Sequence, residues 1–233
     1  MTALDPALTS PSTAVTTRLL LVRHGEAHVN LLTEGESVQL RDVDGLTERG
    51  RAQAAALRDR VVGDPSLHPD VIVASTYPRA AQTGAIVAEG LGLTPIPDDD
   101  LQEWRIGEGD DHLSIAELER HWLRTEAGHA LFERVPGTTS ETYAEFGIRV
   151  GATVERIVTE HRGRTVMAFA HGGVIDLTMT GLTQRAWVVP PLTAYRTRHT
   201  AITEWIAEDD GEGGRQWILG RYNDDAHVPT GTT

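Results

Sequence analysis

The sequence predicts an α/β fold with three layers, in which a mostly parallel central sheet carries helices on both faces. Three short apolar runs without a polar face, at 18–24, 70–75 and 165–170, are typical of strands buried on both sides. Segments with the helical spacing of apolar residues separate these runs along the chain. Because strands that alternate with helices favour parallel pairing, one sheet with helical crossovers is expected.

Capping residues and apolar spacing predict the helices. Thr47 is placed to cap a helix over 47–62, which has an apolar stripe on one side. Ser114 and Glu117 have the spacing of a capping box at the start of a helix over 114–124. The other predicted helices cover 79–89, with Gly90 as the stop signal, 140–161 and 173–182.

The two ends of the chain set the domain boundaries. The run 200–206 alternates as an antiparallel or edge strand does, and 215–222 can pair with it across a Gly-rich turn. No repeat or Pro-rich linker divides the sequence between them, so a single domain over 18–222 is expected. The Ser-, Thr- and Pro-containing segment 1–17 and the tail 223–233 are predicted to be flexible extensions.

Composition excludes several classes of chemistry. The 233 residues carry a net charge of −13, which disfavours a nucleic-acid-binding surface. The chain has no Cys and all 21 of its cations are Arg, so thiol nucleophiles, disulfides and Schiff-base lysines are absent. No run approaches the ~20 apolar residues of a membrane helix. The first residues lack a secretory leader, so we expect a cytoplasmic protein that does not associate with membranes.

Cationic side chains follow the three best-predicted strands. The first ends in Arg23-His24, Arg79 comes shortly after the second, and His171-Gly172 follows the third. Ligands of open α/β sheets bind at the carboxyl ends of the strands, where helix N-termini also add N–H donors. Two guanidiniums and two imidazoles at one edge of a strongly acidic chain indicate a bound anion, and their geometry suits a phosphate.

Five motifs occur in order over about 18–206: LLLVRHGEAHVN, LTERGRAQA, ASTYPRAAQTGAIVAEGLGL, LQEWRIGEG and MAFAHGGVI. Together they resemble the histidine phosphatase superfamily, in its phosphoglycerate-mutase-like branch. One RHG tripeptide would be weak evidence, but five ordered motifs with polar residues at predicted strand ends are specific. The resemblance implies a phosphoglycerate-mutase-like fold and a small phosphorylated substrate.

The resemblance also implies a role for each motif residue. His24 would be the nucleophile that becomes phosphohistidine, His171 would support the transferring phosphoryl group, and Glu103 would protonate the leaving oxygen. Glu108 is the alternative proton donor. No metal or other cofactor is required for this chemistry. The residues expected to bind the substrate phosphate are Arg23, Asn30, Arg79 and Gly172.

Two departures from the family pattern affect the substrate side of the site. The family usually has Ser or Thr after RHG-E, where this chain has Ala27, so a hydroxyl contact to the phosphate is missing unless His28 or a water replaces it. The segment 31–43 also differs from the compact segment that usually precedes the LT-x-x-G motif.

Phosphatase chemistry is favoured over mutase chemistry. Mutases of this branch carry an E-R-H-Y-G motif and further cations that bind the substrate carboxylate, whereas residues 103–107 read EWRIG and offer only Arg105. The alternatives are a phosphoglycerate-mutase-like phosphotransferase and a non-catalytic phospholigand-binding module. Metal-dependent hydrolysis through Asp110-Asp111-His112 or His121 is a further alternative. The favoured interpretation of these residues is that they lie in a solvated loop and on a solvated helix face.

A cap-like insertion is expected near 109–145, because relatives of this family cover the active site there. Four aromatic residues in or near it are candidates for an apolar wall of the substrate site: Trp104, Trp122, Phe132 and Tyr143. Ordinary helix packing is the favoured interpretation for Trp122 and Tyr143.

Overall fold

A computed structural model describes residues 14–32, 45–107, 114–126, 129–183 and 195–228 of the chain. Six strands form one sheet in the order β3-β2-β4-β1-β5-β6, with β1 to β4 parallel and the last two antiparallel. This confirms the predicted α/β fold with a mostly parallel sheet. The strands are β1 (Val15–Arg23), β2 (Val71–Ser75), β3 (Ile96–Asp98), β4 (Thr165–Ala170), β5 (Ile202–Asp209) and β6 (Arg215–Asp224).

Helices cover both faces of the sheet. Alternate residues of β1 point to opposite sides, so Leu20 joins a core with α1 and α2 while Leu19 and Leu21 join a core with α4 and α5. Burial on both faces explains why the parallel strands have continuous apolar sequences. The helices are α1 (Glu48–Gly63), α2 (Pro78–Leu91), α3 (Ile115–Glu126), α4 (Tyr143–Glu160) and α5 (Gly172–Leu182).

The folded part of the chain extends beyond the predicted limits at both ends. Strand β1 starts at Val15, which pairs with Asp209 of β5, so the prediction of a flexible extension is wrong for 15–17. The tail prediction is wrong for 223–228, because β6 continues to Asp224 and the His227 ring hydrogen-bonds to Thr200. These residues have polar sequences but pair with neighbours far away along the chain. Residues 1–13 and 229–233 lie outside the described part.

Helix ends also differ from the predictions. Helix α2 passes through Gly90 and ends at Leu91, and the capping residue that follows, Gly92, has a φ of 66°, the left-handed conformation that favours glycine. Helix α4 is capped by Thr142, because the Ser140 hydroxyl instead accepts a hydrogen bond from the Val135 N–H. Strand β3 was not predicted, since three residues that include a proline carry no periodic signal. The predicted caps at Thr47 of α1 and Ser114 before α3 are confirmed.

No helix in the described ranges is long and apolar enough to span a membrane.

Candidate active site

The carboxyl ends of β1 and β4 bring the two predicted histidines together. The parallel register pairs Arg23 with Ala170, and the next residues are His24 and His171. The His24 N–H donates to the Ala170 carbonyl at 3.0 Å, and the two imidazole centroids are 5.2 Å apart. This arrangement follows directly from two parallel strands ending at the same edge.

The backbone around His24 requires two glycines. A Cβ on Gly25 would lie 2.5 Å from the carbonyl oxygen of Gly50, and a Cβ on Gly50 would overlap the Glu26 backbone. The RHG loop therefore contacts the first turn of α1 directly, which links two motifs that are 25 residues apart in sequence. The Gly25 N–H also donates to the Thr83 hydroxyl of α2 at 3.0 Å.

Hydrogen bonds fix the tautomer of His24. Its Nδ1 lies 2.7 Å from the carbonyl oxygen of Gly25, and a carbonyl can only accept, so Nδ1 carries the proton. The other nitrogen, Nε2, accepts from Nε–H of Arg79 at 3.1 Å and is therefore unprotonated. An imidazole with its lone pair on Nε2 and its opposite side anchored is suited to attack an electrophile.

Arg79 connects the two histidines. It is the second residue of α2, and its Nε lies 3.1 Å from Nε2 of His24 and 3.1 Å from Nδ1 of His171. Because His171 accepts through Nδ1, its Nε2–H donates to the Ser75 hydroxyl at 2.9 Å. Tyr77 packs its ring edge against His171 and lies 5.2 Å below the Arg79 guanidinium. The Arg79 side chain is therefore held from three sides.

Both imidazoles are neutral in this environment. Burial lowers the pKa of His24 well below its ordinary value, and the nearby charges of Arg79 and Arg23 lower it further. Burial also lowers the pKa of His171 well below its ordinary value, with Arg79 and Arg23 adding to the effect. Burial lowers the pKa of Arg79 to about 10, so this guanidinium remains charged at neutral pH.

Arg23 adds a second buried cation beside His24. Its Nη1 donates to the Thr197 carbonyl at 2.6 Å, whereas its Nε is buried without a hydrogen-bond partner among the described residues. Burial lowers the pKa of Arg23, and the negative charges of Glu103 and Asp176 oppose this effect. A buried donor without a partner, beside a neutral imidazole and a second arginine, suits the binding of an anion.

The side chain of Glu103 contacts the first turn of α5. Its Oε2 accepts from the Gly173 N–H at 3.0 Å and its Oε1 accepts from the Trp104 N–H at 3.1 Å. A Cβ on Gly173 would overlap Oε1 of Glu103, so any other residue there would displace the carboxylate. Gly172, the first residue of α5, borders the same space. The carboxylate is thus anchored by backbone donors within the site.

Arg149 of α4 holds the Glu103 segment in place. Its Nη1 donates to the carbonyls of Asp100 and Gln102 at 2.7 and 2.9 Å, and its Nη2 donates to the Glu103 carbonyl at 3.2 Å. Arg149 also forms a largely buried ion pair with Glu141. Because one guanidinium binds three backbone carbonyls of this loop, the loop has a defined position relative to α4.

Asn30 and His199 form a pair near His24. The Asn30 Oδ1 accepts from the Ala27 N–H at 3.0 Å and lies 3.2 Å from Nε2 of His199. The His199 ring centroid is 5.7 Å from that of His24. Burial lowers the pKa of His199 to about 3, helped by the charges of Arg23 and Arg49, so the ring is neutral.

These side chains border one cleft with a volume of about 1050 Å³. Among the predicted site residues, His171 is fully buried behind Arg79 and does not reach the surface of the cleft. Part of the remaining wall is formed by Trp104, Ile106 and the face of α3. The predicted residues that border the cleft are Arg23, His24, Asn30, Arg79, Glu103 and Gly172.

A model of the histidine phosphatase superfamily (branch 1) matches residues 19–218. The chain belongs to the histidine phosphatase superfamily. A probable phosphoglycerate mutase of Yersinia pestis is 26% identical over 216 residues, which cover 91% of this chain and 94% of the relative. The family therefore contains both phosphatase-like and mutase-like relatives of this chain.

Solved structures of the superfamily share the fold. A mycobacterial glucosyl-3-phosphoglycerate phosphatase has a TM-score of 0.70 at 25% identity and covers 89% of this chain and 99% of its own. A phosphoserine phosphatase mutant of Entamoeba histolytica has a TM-score of 0.70 at 21% identity, which covers 91% of this chain and 100% of its own and shows the fold alone.

The candidate aromatic residues and His28 differ in whether they border the cleft of this histidine phosphatase superfamily member. Trp104 and Trp122 both border the cleft. Trp122 also packs against the core, as the favoured interpretation predicts. Tyr143 packs against the core as expected, whereas the Phe132 side chain is 74% exposed and is not among the residues that line the cleft. Exposed His28 does not border the cleft, so it does not replace the hydroxyl missing at Ala27.

Of the residues considered for a metal site, the structure describes His121. Within the described ranges, no three His, Asp or Glu side chains are grouped to hold a metal ion. His121 is buried and stacks on Trp104 with a centroid distance of 5.4 Å. Glu108, Asp110, Asp111 and His112 lie outside the described residues, as does most of the segment 31–43.

Sequence reasoning missed three residues of the site. Tyr77 precedes the predicted helix, and its place between Ser75 and Arg79 is the signal that could have identified it. Arg149 lies in the middle of a long helix, where nothing distinguishes it from a surface arginine. His199 stands in an irregular segment before β5, and no local pattern connects it to Asn30.

Proposed function

We propose that the protein is a phosphomonoester hydrolase that acts through a phosphohistidine on Nε2 of His24. The observation that carries this proposal is the tautomer of His24, whose proton is on Nδ1 and whose Nε2 lone pair lies beside Arg23 and Arg79 at the cleft. In the first step the Arg79 Nε–H exchanges its hydrogen bond to Nε2 for one to a phosphoryl oxygen, which frees the Nε2 lone pair. Nε2 then attacks phosphorus, the bond from phosphorus to the leaving oxygen breaks, and Glu103 gives a proton to that oxygen.

The second step returns the enzyme to its starting state. Water attacks the phosphohistidine, Glu103 takes a proton from the water, and the N–P bond breaks to release phosphate. The Nδ1–H bond to the Gly25 carbonyl stabilises the positive charge on the ring while phosphorus is attached. Arg23, Arg79 and Asn30 bind the phosphoryl oxygens, with Gly172 bordering them at the start of α5.

In this proposal His171 acts through Arg79. Its Nδ1 accepts from Arg79 and thus carries no proton to offer to a phosphoryl oxygen in this arrangement. The resemblance alone implies a direct contact, whereas the hydrogen bonds favour a role in orienting the guanidinium. The substrate is a small phosphorylated molecule, as the names of the relatives suggest.

The contacts of Arg105 support hydrolysis over mutase chemistry. Its Nε donates to Gln102 at 2.9 Å and its Nη2 to the Asp99 carbonyl at 2.6 Å, and it does not line the cleft. The single cation of segment 103–107 is therefore unable to bind a substrate carboxylate in this conformation. A phosphoglycerate-mutase-like activity is the second candidate, because the Yersinia relative is named a probable mutase.

The first test is the release of p-nitrophenol from p-nitrophenyl phosphate in excess EDTA. Wild type should be active and His24→Ala inactive, with exposed His68→Ala as the matched control that keeps full activity. Equal activity of the His24 variant and the wild type would contradict the proposal. Interconversion of phosphoglycerates without net phosphate release would favour the mutase instead.

The second test concerns the proton donor. Glu103→Gln should lose about 10²–10⁴-fold in kcat on alkyl phosphates, which need a proton on the leaving alkoxide. The loss on p-nitrophenyl phosphate should be much smaller, because nitrophenolate leaves without protonation. Equal losses on both substrates would assign Glu103 a purely structural role.

A further inference from the structure

Two chemically different groups of residues line the cleft. The first consists of the cations and imidazole that the proposed function assigns to the phosphoryl group: Arg23, His24 and Arg79. The second is a surface that we call the apolar wall, formed by Trp104, Ile106, Leu118, Trp122 and Leu123, and Glu103 adjoins it in sequence. The chemistry of the wall bears on the rest of the substrate.

The position of the proton donor orients the substrate. This step rests on the proposed function, in which Glu103 protonates the leaving oxygen. A general acid must come within hydrogen-bond distance of the atom that it protonates. The leaving group consequently departs from the phosphoryl group on the side of Glu103, where the next residue along the chain is Trp104.

A hydrogen bond and aromatic packing hold the apolar wall in a fixed position. The indole N–H of Trp104 donates to the Glu141 carbonyl at 2.7 Å, so the polar atom of the ring is already satisfied. The Trp104 ring packs on Trp122 of α3 with a centroid distance of 5.7 Å. Leu123, one residue further along α3, is 61% exposed and borders the cleft. A rigid aromatic base with an exposed leucine beside it favours contact with an apolar group.

The charges on this side disfavour an anionic leaving group. Among the described residues of 104–107 and 114–126 that line the cleft, Glu119 is the one with a charge. Three further arginines of the lining, Arg49, Arg196 and Arg198, come from other segments of the chain, where Arg49 pairs with Glu26 and Arg198 pairs with Asp225. Arg105 is directed to Gln102 and Asp99, away from the cleft. A carboxylate placed against the apolar wall would lose water without gaining a cationic partner, and the Glu119 carboxylate would repel it.

We infer that the substrate is a phosphomonoester whose leaving group is uncharged and largely apolar, an alkyl or aryl alcohol, rather than a carboxylate-bearing one such as a phosphoglycerate. The leaving group packs on Trp104, Trp122 and Leu123 while its oxygen contacts Glu103. Burial of each methylene against this surface favours the transition state as well as the bound substrate.

A homologous series of alkyl phosphates tests this inference. From ethyl through butyl to hexyl phosphate the leaving oxygen changes little in basicity, so differences in kcat/KM report the contacts of the chain. The value should rise about threefold per methylene. It should also exceed the value for net phosphate release from 3-phosphoglycerate by about 100-fold for hexyl phosphate. A flat series, or faster hydrolysis of 3-phosphoglycerate, would overturn the inference.

Variants of the wall separate it from the phosphate site. Leu118→Asn with Leu123→Asn should flatten the dependence on chain length and change the rate on ethyl phosphate less than the rate on hexyl phosphate. Ile148→Asn, at a site on α4 that is 69% exposed and is not among the cleft-lining residues, is the matched control and should keep the wild-type slope. An unchanged slope in the double variant would contradict the inference. If the wild type hydrolyses none of these phosphates, the result would instead contradict the proposed function.

Discussion

The Nε atom of Arg79 lies 3.1 Å from Nε2 of His24, so the guanidinium donates its single Nε–H to the nitrogen proposed as nucleophile. The same Nε lies 3.1 Å from Nδ1 of His171. One N–H shared by two ring nitrogens requires that both nitrogens are unprotonated. The arginine therefore favours the neutral form of both histidines, and it lines the cleft itself.

Arg79→Lys should lower kcat/KM for p-nitrophenyl phosphate by about 10²–10³-fold, because an ammonium replaces a planar group that fits between two rings and offers oxygen-binding donors. Steady-state kinetics with circular dichroism as a folding check measure this. Arg105→Lys is the matched control, since its guanidinium bonds outside the cleft, and it should stay within about twofold of wild type. Similar losses in both variants would contradict a special role for Arg79.

Gly173→Ala should reduce both activity and stability. The added Cβ would overlap Oε1 of Glu103 and lie 3.0 Å from Cε1 of Phe146, so the carboxylate must move. We expect a loss of about 1–3 kcal/mol in the free energy of unfolding, measured by urea denaturation. Gly172→Ala tests the neighbouring position, where the nearest atom is Arg23 Nε at 3.8 Å, and its stability should change by less than about 1 kcal/mol. Equal costs at both positions would contradict this packing.

His199→Ala should weaken the competitive inhibition by inorganic phosphate by about three- to tenfold, the size of one lost hydrogen bond. The His199 ring and the Ala27 N–H both contact Oδ1 of Asn30. These two contacts fix the orientation of the amide, so its Nδ2 donors point away from His199 and Ala27. His199→Gln, which retains an N–H donor, should restore part of the affinity. In an Asn30→Ala background the His199→Ala change should have no further effect, and additive losses would show that the two residues act separately.

Stability should fall as the pH is lowered from 7.5 to 5.5. The pKa values of His24, His171 and His199 are lowered in the folded protein, so the unfolded chain takes up protons first as the pH drops through about 6.5. Each fully buried histidine contributes about 1 kcal/mol to the loss over this window. Urea denaturation at both pH values measures it. His199→Gln should reduce the difference, exposed His68→Gln should leave it unchanged, and a stability independent of pH would contradict neutral buried rings.

Much of the fold and the core of the site could be predicted because they depend on local patterns. The buried strands have continuous apolar runs, and parallel pairing brings their carboxyl ends together, so Arg23, His24 and His171 converge by topology alone. Thr47 and Ser114 cap the N-termini of their helices through local hydrogen bonds, so these helix starts are predictable from the sequence. These features require no knowledge of distant contacts.

The remaining features depend on contacts between distant segments. Arg149 becomes a positioning residue only because α4 packs beside the loop that carries Glu103. The pairing of His199 with Asn30 spans 169 residues, and residues 15–17 are ordered because β5 pairs with them. The burial of His171 behind Arg79 likewise follows from side-chain packing, which a motif does not encode.

The most direct test of the account is to trap the phosphorylated enzyme. Wild type mixed rapidly with ³²P-labelled hexyl phosphate and quenched in alkali should carry label that is stable to base and lost in acid, as a phosphoramidate is. Peptide mapping should assign that label to His24, and His24→Ala should carry none. Label on a different residue, or full turnover by the His24→Ala variant, would contradict the phosphohistidine mechanism.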